Sequence, residues 1–454
     1  MRAFPISTTI SSFASQFHQH GYTLYIVGGA VRDFYLNREQ TDYDFTTDAT
    51  PDEMKQIFKR VIPTGIVHGT VTILYKGHSF EVTTFRHEGP YSDFRRPDSV
   101  SFVRNLEEDL GRRDFTINAL AIDAKSGTLT DLHGGISDIY NKVVRAIGDP
   151  FQRFSEDALR IMRACRFSSQ LAFTIEKNTF EAMSTLSENL QRISGERIRV
   201  ELMHILSSPK PSVGIQSLQQ CGALKVILPE LEATIGVEQG EFHLYPLYEH
   251  SLISCDAVPS SKALVRLSAL LHDIGKVETK KVTSDGKVTF YNHEQVSVSL
   301  AKEILQRLKF SNKDSFIVLH LIKQHMFHYE PSWSDGAIRR FINRVGLEYM
   351  DNLFELRKAD RYAINHSKEV EDLIELHDRI AKVLHKGSSL TIKDLDINGY
   401  DLMQAGIPKG EAVGLVLKQL LETVLDDPKQ NNKEQLLKIA KGIYTHQLRG
   451  GRTN

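Results

Sequence analysis

The sequence predicts an α+β protein: a strand-bearing head followed by a long, mostly helical region. Three observations predict it. A short apolar strand, Tyr25-Ile26-Val27, runs into the pair Gly28-Gly29 and then a helix-forming stretch. Val71–Tyr75 and Ser79–Phe85 flank Lys76-Gly77 and read as a β-hairpin. Beyond about residue 146, apolar residues recur mainly at helical spacing.

At 454 residues the chain exceeds one ordinary domain. The pattern divides it into a head (1–145), a helical neck (146–235), a third domain (240–370) and a helical tail (371–454). A content of 41% hydrophobic and 25% charged residues is that of a soluble globular protein. The formal net charge of -1 means that any nucleic-acid site must come from local basic clustering. Cys165, Cys221 and Cys255 are isolated and odd in number. They give neither a zinc spacing nor a disulfide framework, which suits a reducing cytosol and a cytoplasmic protein. No signal peptide and no apolar run of membrane-span length is visible, so no membrane partner is expected. Nothing in the sequence sets an oligomeric state.

Taken in order, Ser11 to His20 reads as an opening amphipathic helix. In the glycine turn neither residue carries a Cβ to collide with a ligand. Val31 onward reads as a helix start, whose free N–H groups attract phosphate. Asp42 and Asp44 are two apart and, on a strand, point to one side. Paired carboxylates beside a phosphate cradle suit Mg²⁺ bridged to a nucleotide. Thr50 precedes Pro51 as an N-cap, predicting a helix to Arg60. Glu81 falls in the second hairpin strand, either as a third carboxylate for the chemistry or as an exposed edge residue. Arg86 to Arg104 breaks the periodicity and reads as a long surface loop, containing Tyr91, Arg95-Arg96-Pro97 and Asp98. Arg113 has the donor geometry to meet nucleotide phosphates, and Asn118 would fix the ribose or order the loop. Ser155 is read as the N-cap of a helix through Phe167, on which Asp157, Arg160 and Arg163 follow three apart, with Arg166 on another flank.

The ordered set Gly28-Gly29-Ala30-Val31-Arg32-Asp33, Asp42-Tyr43-Asp44, Arg112-Arg113-Asp114, Glu156-Asp157-Ala158-Leu159-Arg160 and Ser194-Gly195-Glu196-Arg197-Ile198 resembles the class II tRNA nucleotidyltransferases, the CCA-adding enzymes, and their relatives the bacterial poly(A) polymerases. The resemblance covers roughly the first half of the chain. It implies a polymerase-β-like nucleotidyltransferase head, a mixed sheet flanked by helices. It implies catalytic Asp42 and Asp44, with nucleotide binding by Gly28, Gly29, Arg32, Arg113, Asn118, Asp157, Arg160, Arg163 and Arg166. A loop like that at Arg86 to Arg104 accompanies AMP addition in the family.

Base choice without a nucleic-acid template has a chemical rationale. Cytosine and adenine both present an exocyclic amino donor beside a ring-nitrogen acceptor, which a carboxylate and a guanidinium complement. Uracil and guanine present the reverse, leaving buried polar groups unpaired. Asp157 with Arg160 therefore predicts use of CTP and ATP, as the family's corresponding residues are held to act.

A second constellation follows: His250, then His272-Asp273 in an apolar helix, then His293, His325 and Asp360. It looks like an HD-superfamily phosphohydrolase domain. That resemblance implies a divalent metal such as Mn²⁺ or Ni²⁺ on His250, His272, Asp273 and Asp360. His293 and His325 would serve a second metal or the substrate phosphate. The tail segments Val370–Leu384 and Glu411–Leu425 have helical spacing, and the glycines near Asn398-Gly399 and Gly406 permit close approach to RNA or simply turn the chain.

The expected function is addition or repair of the tRNA CCA end from CTP and ATP with Mg²⁺, alongside a phosphohydrolase activity. The rivals are an enzyme adding only A, to tRNA or as a poly(A) tail, and an HD phosphohydrolase with an RNA-binding head.

Overall fold

The computed structural model describes residues 2–39, 42–89, 99–240, 243–366, 370–386 and 390–445. The chain divides into two compact units: Met1–Ile235 with Glu303–Phe310, and Gly236–Lys302 with Ser311–Asn454.

The first unit opens with α1 (Thr8–Gln19), capped by Ser7, whose hydroxyl accepts from Ile10 N at 3.2 Å. Its apolar face brings Phe13 and Phe17 into an aromatic core with Phe45, Phe58 and Phe80. The chain continues through β1 (Leu24–Val27), α2 (Gly29–Tyr35), β2 (Asp44–Thr47), α3 (Pro51–Ile57), β3 (Val61–Gly65), β4 (Thr70–Tyr75) and β5 (His78–Thr84). A ribbon of β6 (Arg86–Glu88) and β7 (Val100–Phe102), then α4 (Leu106–Gly111), lead to β8 (Leu120–Asp123) and β9 (Leu129–Asp131). The principal sheet runs β3-β4-β5-β2-β1-β8-β9. It is mixed, because β2 and β5 pair in parallel whereas its other pairs are antiparallel. The expected hairpin is present with its turn at Lys76-Gly77. The helix expected to reach Arg60 stops at Ile57, and Phe58 leaves in an extended conformation to bury against Phe13. Thr50 and Glu53 form the full capping box that starts it.

Helices α5 (Gly135–Asn141), α6 (Pro150–Glu156), α7 (Leu159–Leu171), α8 (Lys177–Leu186), α9 (Gly195–Leu206), α10 (Pro211–Gln220), α11 (Ala223–Ile227) and α12 (Pro229–Glu232) complete the unit. The strand pair β10 (Val143–Val144) and β11 (Thr174–Ile175) lies among them. One expectation fails here. Ser155 does not cap a helix through Phe167; it sits inside α6, which begins at Pro150 with Asp149 as its cap. The chain then breaks at Asp157, whose φ of -140° and ψ of 101° are extended, and restarts as α7. The break is held by the Asp157 carboxylate, which accepts from Leu159 N at 3.1 Å.

The second unit is almost wholly helical: α13 (Leu247–Ala257), α14 (Ala263–Leu271), α15 (Lys276–Thr279), α16 (His293–Arg307), α17 (Asn312–Gln324), α18 (Asp335–Val345), α19 (Leu347–Asn365), α20 (Glu371–His385), α21 (Gly399–Gln404), α22 (Glu411–Asp426) and α23 (Lys433–Ile443). The C-terminal end of α16 groups with the first unit. One apolar core runs from Val258 to Ala440, so the tail packs with the helices preceding it. Asn398 and Asp401 form a capping box at the start of α21, so the glycine there begins a helix.

Candidate active site and buried histidine-aspartate centre

The head builds its site where β1 ends. Gly28 has φ 70°, a left-handed value that favours glycine, and a Cβ there would stand 3.6 Å from Arg113 Nη1. The turn leads into α2 at Gly29, two residues earlier than the sequence suggests. Opposite Val27 in the antiparallel pairing lies Asp44, and opposite Asp44 in the parallel pairing lies Glu81. Asp44 faces a cleft of about 710 Å³ in this unit. Asp44 is exposed by surface, but the surrounding walls of the cleft displace enough water to raise its carboxyl above the usual range; Arg113 opposes that rise, and the charge of Asp42 adds to it. Asp42 is exposed, just before β2 rather than on it, and Glu81 is exposed.

Every residue expected to bind nucleotide lines this one cleft: Gly28, Gly29, Arg32, Arg113, Asn118, Asp157, Arg160, Arg163 and Arg166. With Arg86, Arg112 and Arg197 the lining holds eight arginines against Asp44, Asp114 and Asp157, an excess of positive charge suited to a polyphosphate. The net charge of -1 for the whole chain conceals it.

The cations of the cleft are held by named partners. Arg32 pairs with Asp33 at 2.9 Å and donates to Asn118 Oδ1 at 2.7 Å, and the Asn118 amide donates to Asp114. Asn118 therefore bridges Arg32 to Asp114. Asp114 also binds Arg163 at 2.6 Å. Burial alone would raise the Asp114 carboxyl, but the Arg163 charge and hydrogen bond outweigh it and hold it at about 2. Arg166 meets Glu201 at 3.1 Å. Arg32, Arg163 and Arg166 all lie over the Phe167 ring.

Asp157 and Arg160 are not the helical ion pair their spacing suggests. Asp157 is gripped by two nitrogens of Arg197, at 3.2 and 2.6 Å. Arg160 binds Glu156 at 2.7 Å and the Arg153 and Arg112 carbonyls. The break between α6 and α7 separates them, since Asp157 is no longer on a helix.

Sequence reasoning missed Asp109. This fully buried carboxylate binds Arg112 at 2.7 Å and Arg113 at 3.1 Å, and accepts from Thr46 and from Arg86 N. Burial raises its carboxyl, and the two arginines outweigh that and lower it. The clue was its place three and four residues before Arg112 and Arg113 on one helical turn. The loop residues Tyr91, Arg95, Arg96, Pro97 and Asp98 lie outside the described residues.

The second unit brings His250, His272, Asp273 and Asp360 together, all buried. His250 and His272 Nε2 are 3.3 Å apart. Asp360 Oδ1 lies 3.2 Å from the first and 3.5 Å from the second, and Asp273 Oδ2 lies 3.6 and 3.2 Å from them. Lys276 Nζ holds Asp273 Oδ2 at 2.7 Å, and Arg357 holds the other Asp360 oxygen at 2.7 Å; neither cation was foreseen. Burial lowers both His272 and His325. At His272 the adjacent Asp273 and Asp360 outweigh burial and lift the imidazole to about 10, whereas His325 stays at about 4. Four imidazoles and two carboxylates are a donor set for a divalent transition metal. The fit is supported by His293 Nε2 and Asp273 Oδ1, buried without a hydrogen-bond partner of acceptable geometry among the described residues.

Comparison with known proteins agrees with this geometry. Residues 24–145 match the Poly A polymerase head domain family, 172–235 the probable RNA and SrmB-binding site of polymerase A, and 288–440 the putative tRNA nucleotidyltransferase domain 2. The chain is 51% identical to a CCA-adding enzyme of Lactobacillus helveticus over 98% of this chain and 97% of that one. It is 37% identical to a CCA-adding enzyme of Lactobacillus johnsonii over 92% and 93%. The crystal structure of the Bacillus stearothermophilus CCA-adding enzyme in complex with CTP superposes with a TM-score of 0.73 at 27% identity, covering 97% of this chain and 98% of that one. The α+β head with a helical remainder is shared with it. A positively lined cleft at a glycine turn beside a strand aspartate, together with these matches along nearly the whole chain, leads to one conclusion: the chain belongs to the class II CCA-adding enzyme and poly(A) polymerase family of nucleotidyltransferases.

Proposed function

We propose that this nucleotidyltransferase adds or repairs the CCA end of tRNA, using CTP and ATP. The observation that carries the reading is the single cleft lined together by the Gly28 turn, Asp44, Asp157 and Arg160. Arg32 and Arg113 would neutralise the triphosphate as the tRNA 3′ hydroxyl attacks the α-phosphorus and pyrophosphate leaves. The buried Arg113 Nε, which has no partner among the described residues, is a donor such a phosphate would satisfy. Asp42 and Asp44 would hold Mg²⁺, a fit supported by their hard oxygen donors and by the charge of Asp42 felt at Asp44. Bound there, Mg²⁺ supplies charge stabilisation at the leaving group and a more acidic attacking hydroxyl. Glu81 would be an auxiliary carboxylate beside Asp44.

Asp157 would accept the amino group shared by cytosine and adenine, and Arg160 would donate to the adjoining ring nitrogen. A carboxylate has about four lone-pair sites, and the two Arg197 contacts together with that of Leu159 N leave one for the base. CTP in the Bacillus stearothermophilus complex supports the substrate class. The test is extension of tRNA lacking CCA with single and paired nucleotides. Growth to CCA with CTP and ATP together, and no growth with UTP or GTP, is expected. Addition of A alone would establish the A-adding rival, and extension unaffected by Asp44→Ala would defeat the reading.

We further propose that the buried centre of the second unit takes a divalent metal on His250, His272, Asp273 and Asp360 and hydrolyses phosphoesters. A metal bound there supplies a water of lowered pKa. Chelator-treated protein should release no product from 2′,3′-cyclic nucleotides, and Mn²⁺ or Ni²⁺ should restore release; no metal-dependent release would remove this activity.

A further inference from the structure

We infer that His68 is a binding residue for the tRNA acceptor strand, donating from its ring to a phosphodiester oxygen at the strand's 3′-terminal nucleotide. The inference rests on the nucleotidyl-transfer reading of the head cleft and goes beyond the residues which that reading assigns.

The lining of the cleft falls on two sides of Asp44. Across the sheet, β2 stands between β1 and β5. On the β1 side lie the Gly28 turn and Arg32, which is joined to Asn118 just before β8. On the β5 side lie His68 and Arg86. His68 ends the short helical turn Ile66–His68 that leads into β4, and Arg86 follows close after β5. The triphosphate is met by Gly28, Arg32 and Arg113, and the base by Asp157 and Arg160. Nothing of the incoming nucleotide is left over for the β5 side.

The reaction itself says what enters there. In nucleotidyl transfer the attacking and leaving oxygens lie roughly in line through the phosphorus. With pyrophosphate drawn toward the Gly28 turn and Arg32, the attacking 3′ hydroxyl has to arrive from the opposite side of Asp44. The strand that bears it then passes His68 and Arg86. A guanidinium and an imidazole N–H are both donors for its phosphodiester oxygens.

The backbone at His68 is fixed as such a contact requires. Arg86 Nη1 donates to the His68 carbonyl at 2.5 Å, and Arg86 N donates to the buried Asp109 at 3.4 Å. Gly69 N donates to the Ile66 carbonyl at 3.0 Å, and the Gly69 carbonyl accepts from Thr84 N at 3.0 Å. Gly69 has φ 77°, and a Cβ there would stand 2.7 Å from Phe102 Cε1, so the turn is built for glycine. The His68 ring, by contrast, has no hydrogen-bond partner among the described residues. A rigid turn that leaves one polar ring unmatched at a cleft is the arrangement of a binding residue.

The test is steady-state extension by the full chain, with ATP and a tRNA ending in CC. His68→Ala should raise KM for that tRNA about fivefold and leave KM for ATP within about twofold, the effect of losing one hydrogen bond to the acceptor strand alone. His68→Gln keeps an N–H donor and should recover most of the loss. A second measurement begins with wild type: a methylphosphonate at the last linkage of the tRNA removes the charged oxygen and should also raise KM for tRNA, by more in wild type than in His68→Ala. An unchanged KM for tRNA in His68→Ala, an equal rise for ATP, no effect of the methylphosphonate on wild type, or the same effect on both proteins would each overturn the inference. A wild type that extends no tRNA would overturn instead the reading on which it rests.

Discussion

Asp109 is the residue whose removal should separate charge placement from chemistry in the head. In Asp109→Asn the side chain keeps its shape but loses the charge that binds Arg112 and Arg113 at 2.7 and 3.1 Å. Removing one partner of a buried ion pair costs about 3–5 kcal/mol. The carboxylate is fully buried, but the arginines keep 17% and 18% of their side-chain surface, so the lower end, about 3 kcal/mol, applies. For a unit of this size that is a fall in Tm of about 6–12 °C. Arg113 would also lose its orientation beside Gly28, and a phosphate contact weakened by about 1.4 kcal/mol raises KM for CTP and ATP about tenfold. The native Asp109 carboxyl is depressed, so its contribution is present above the unfolded value of about 3.9 and is lost as pH falls through the lower native value. The gap between wild type and variant should therefore narrow on acidification. Calorimetry across pH and steady-state extension kinetics measure both effects. A variant that melts within about 1 °C of wild type at neutral pH, with unchanged KM, would refute the reasoning.

Other outcomes follow from the same geometry. Arg197→Ala frees Asp157 from its two-nitrogen grip, and misincorporation of UTP, read by product sequencing, should rise at least about tenfold; Arg197→Lys should be intermediate, since an ammonium lacks the paired donors. Asp114, held at about 2, should contribute about 2–3 kcal/mol at neutral pH that disappears as pH falls from about 4 to about 2. Asp114→Asn should flatten that limb of an acid titration; an identical limb would discount the Arg163 pairing. In Gly275→Ala the new Cβ would stand 2.5 Å from the His293 carbonyl and 2.6 Å from Ser297 N, both backbone atoms. Displacing α16 should cost about 1–3 kcal/mol and lower Mn²⁺ content, as melting and metal analysis would register.

Much of the site was legible because local chemistry dictated it. A glycine turn after an apolar strand, an aspartate on the neighbouring strand and spaced arginines kept their meaning in three dimensions, and nine predicted residues reached one cleft. The helix through Phe167 was misread because cap preference was assigned to Ser155, while Asp149 and Pro150 made the stronger start and Asp157 broke the continuation. Asp109 was missed because, although its spacing from Arg112 and Arg113 hints at pairing, nothing local distinguishes a buried acid from a solvated one in Glu107-Glu108-Asp109.

The sequence alone determined the glycine turn and the identity of the charged groups that line the cleft and the buried centre, since these depend on backbone freedom and side-chain chemistry. Tertiary structure decided which charge neutralises which. It gave Asp157 to Arg197 across 40 positions and Asp114 to Arg163 across 49, and it turned the two oxygens of Asp273 toward different histidines. Pairing energy depends on distance and burial, and neither is written in the spacing of residues along a chain.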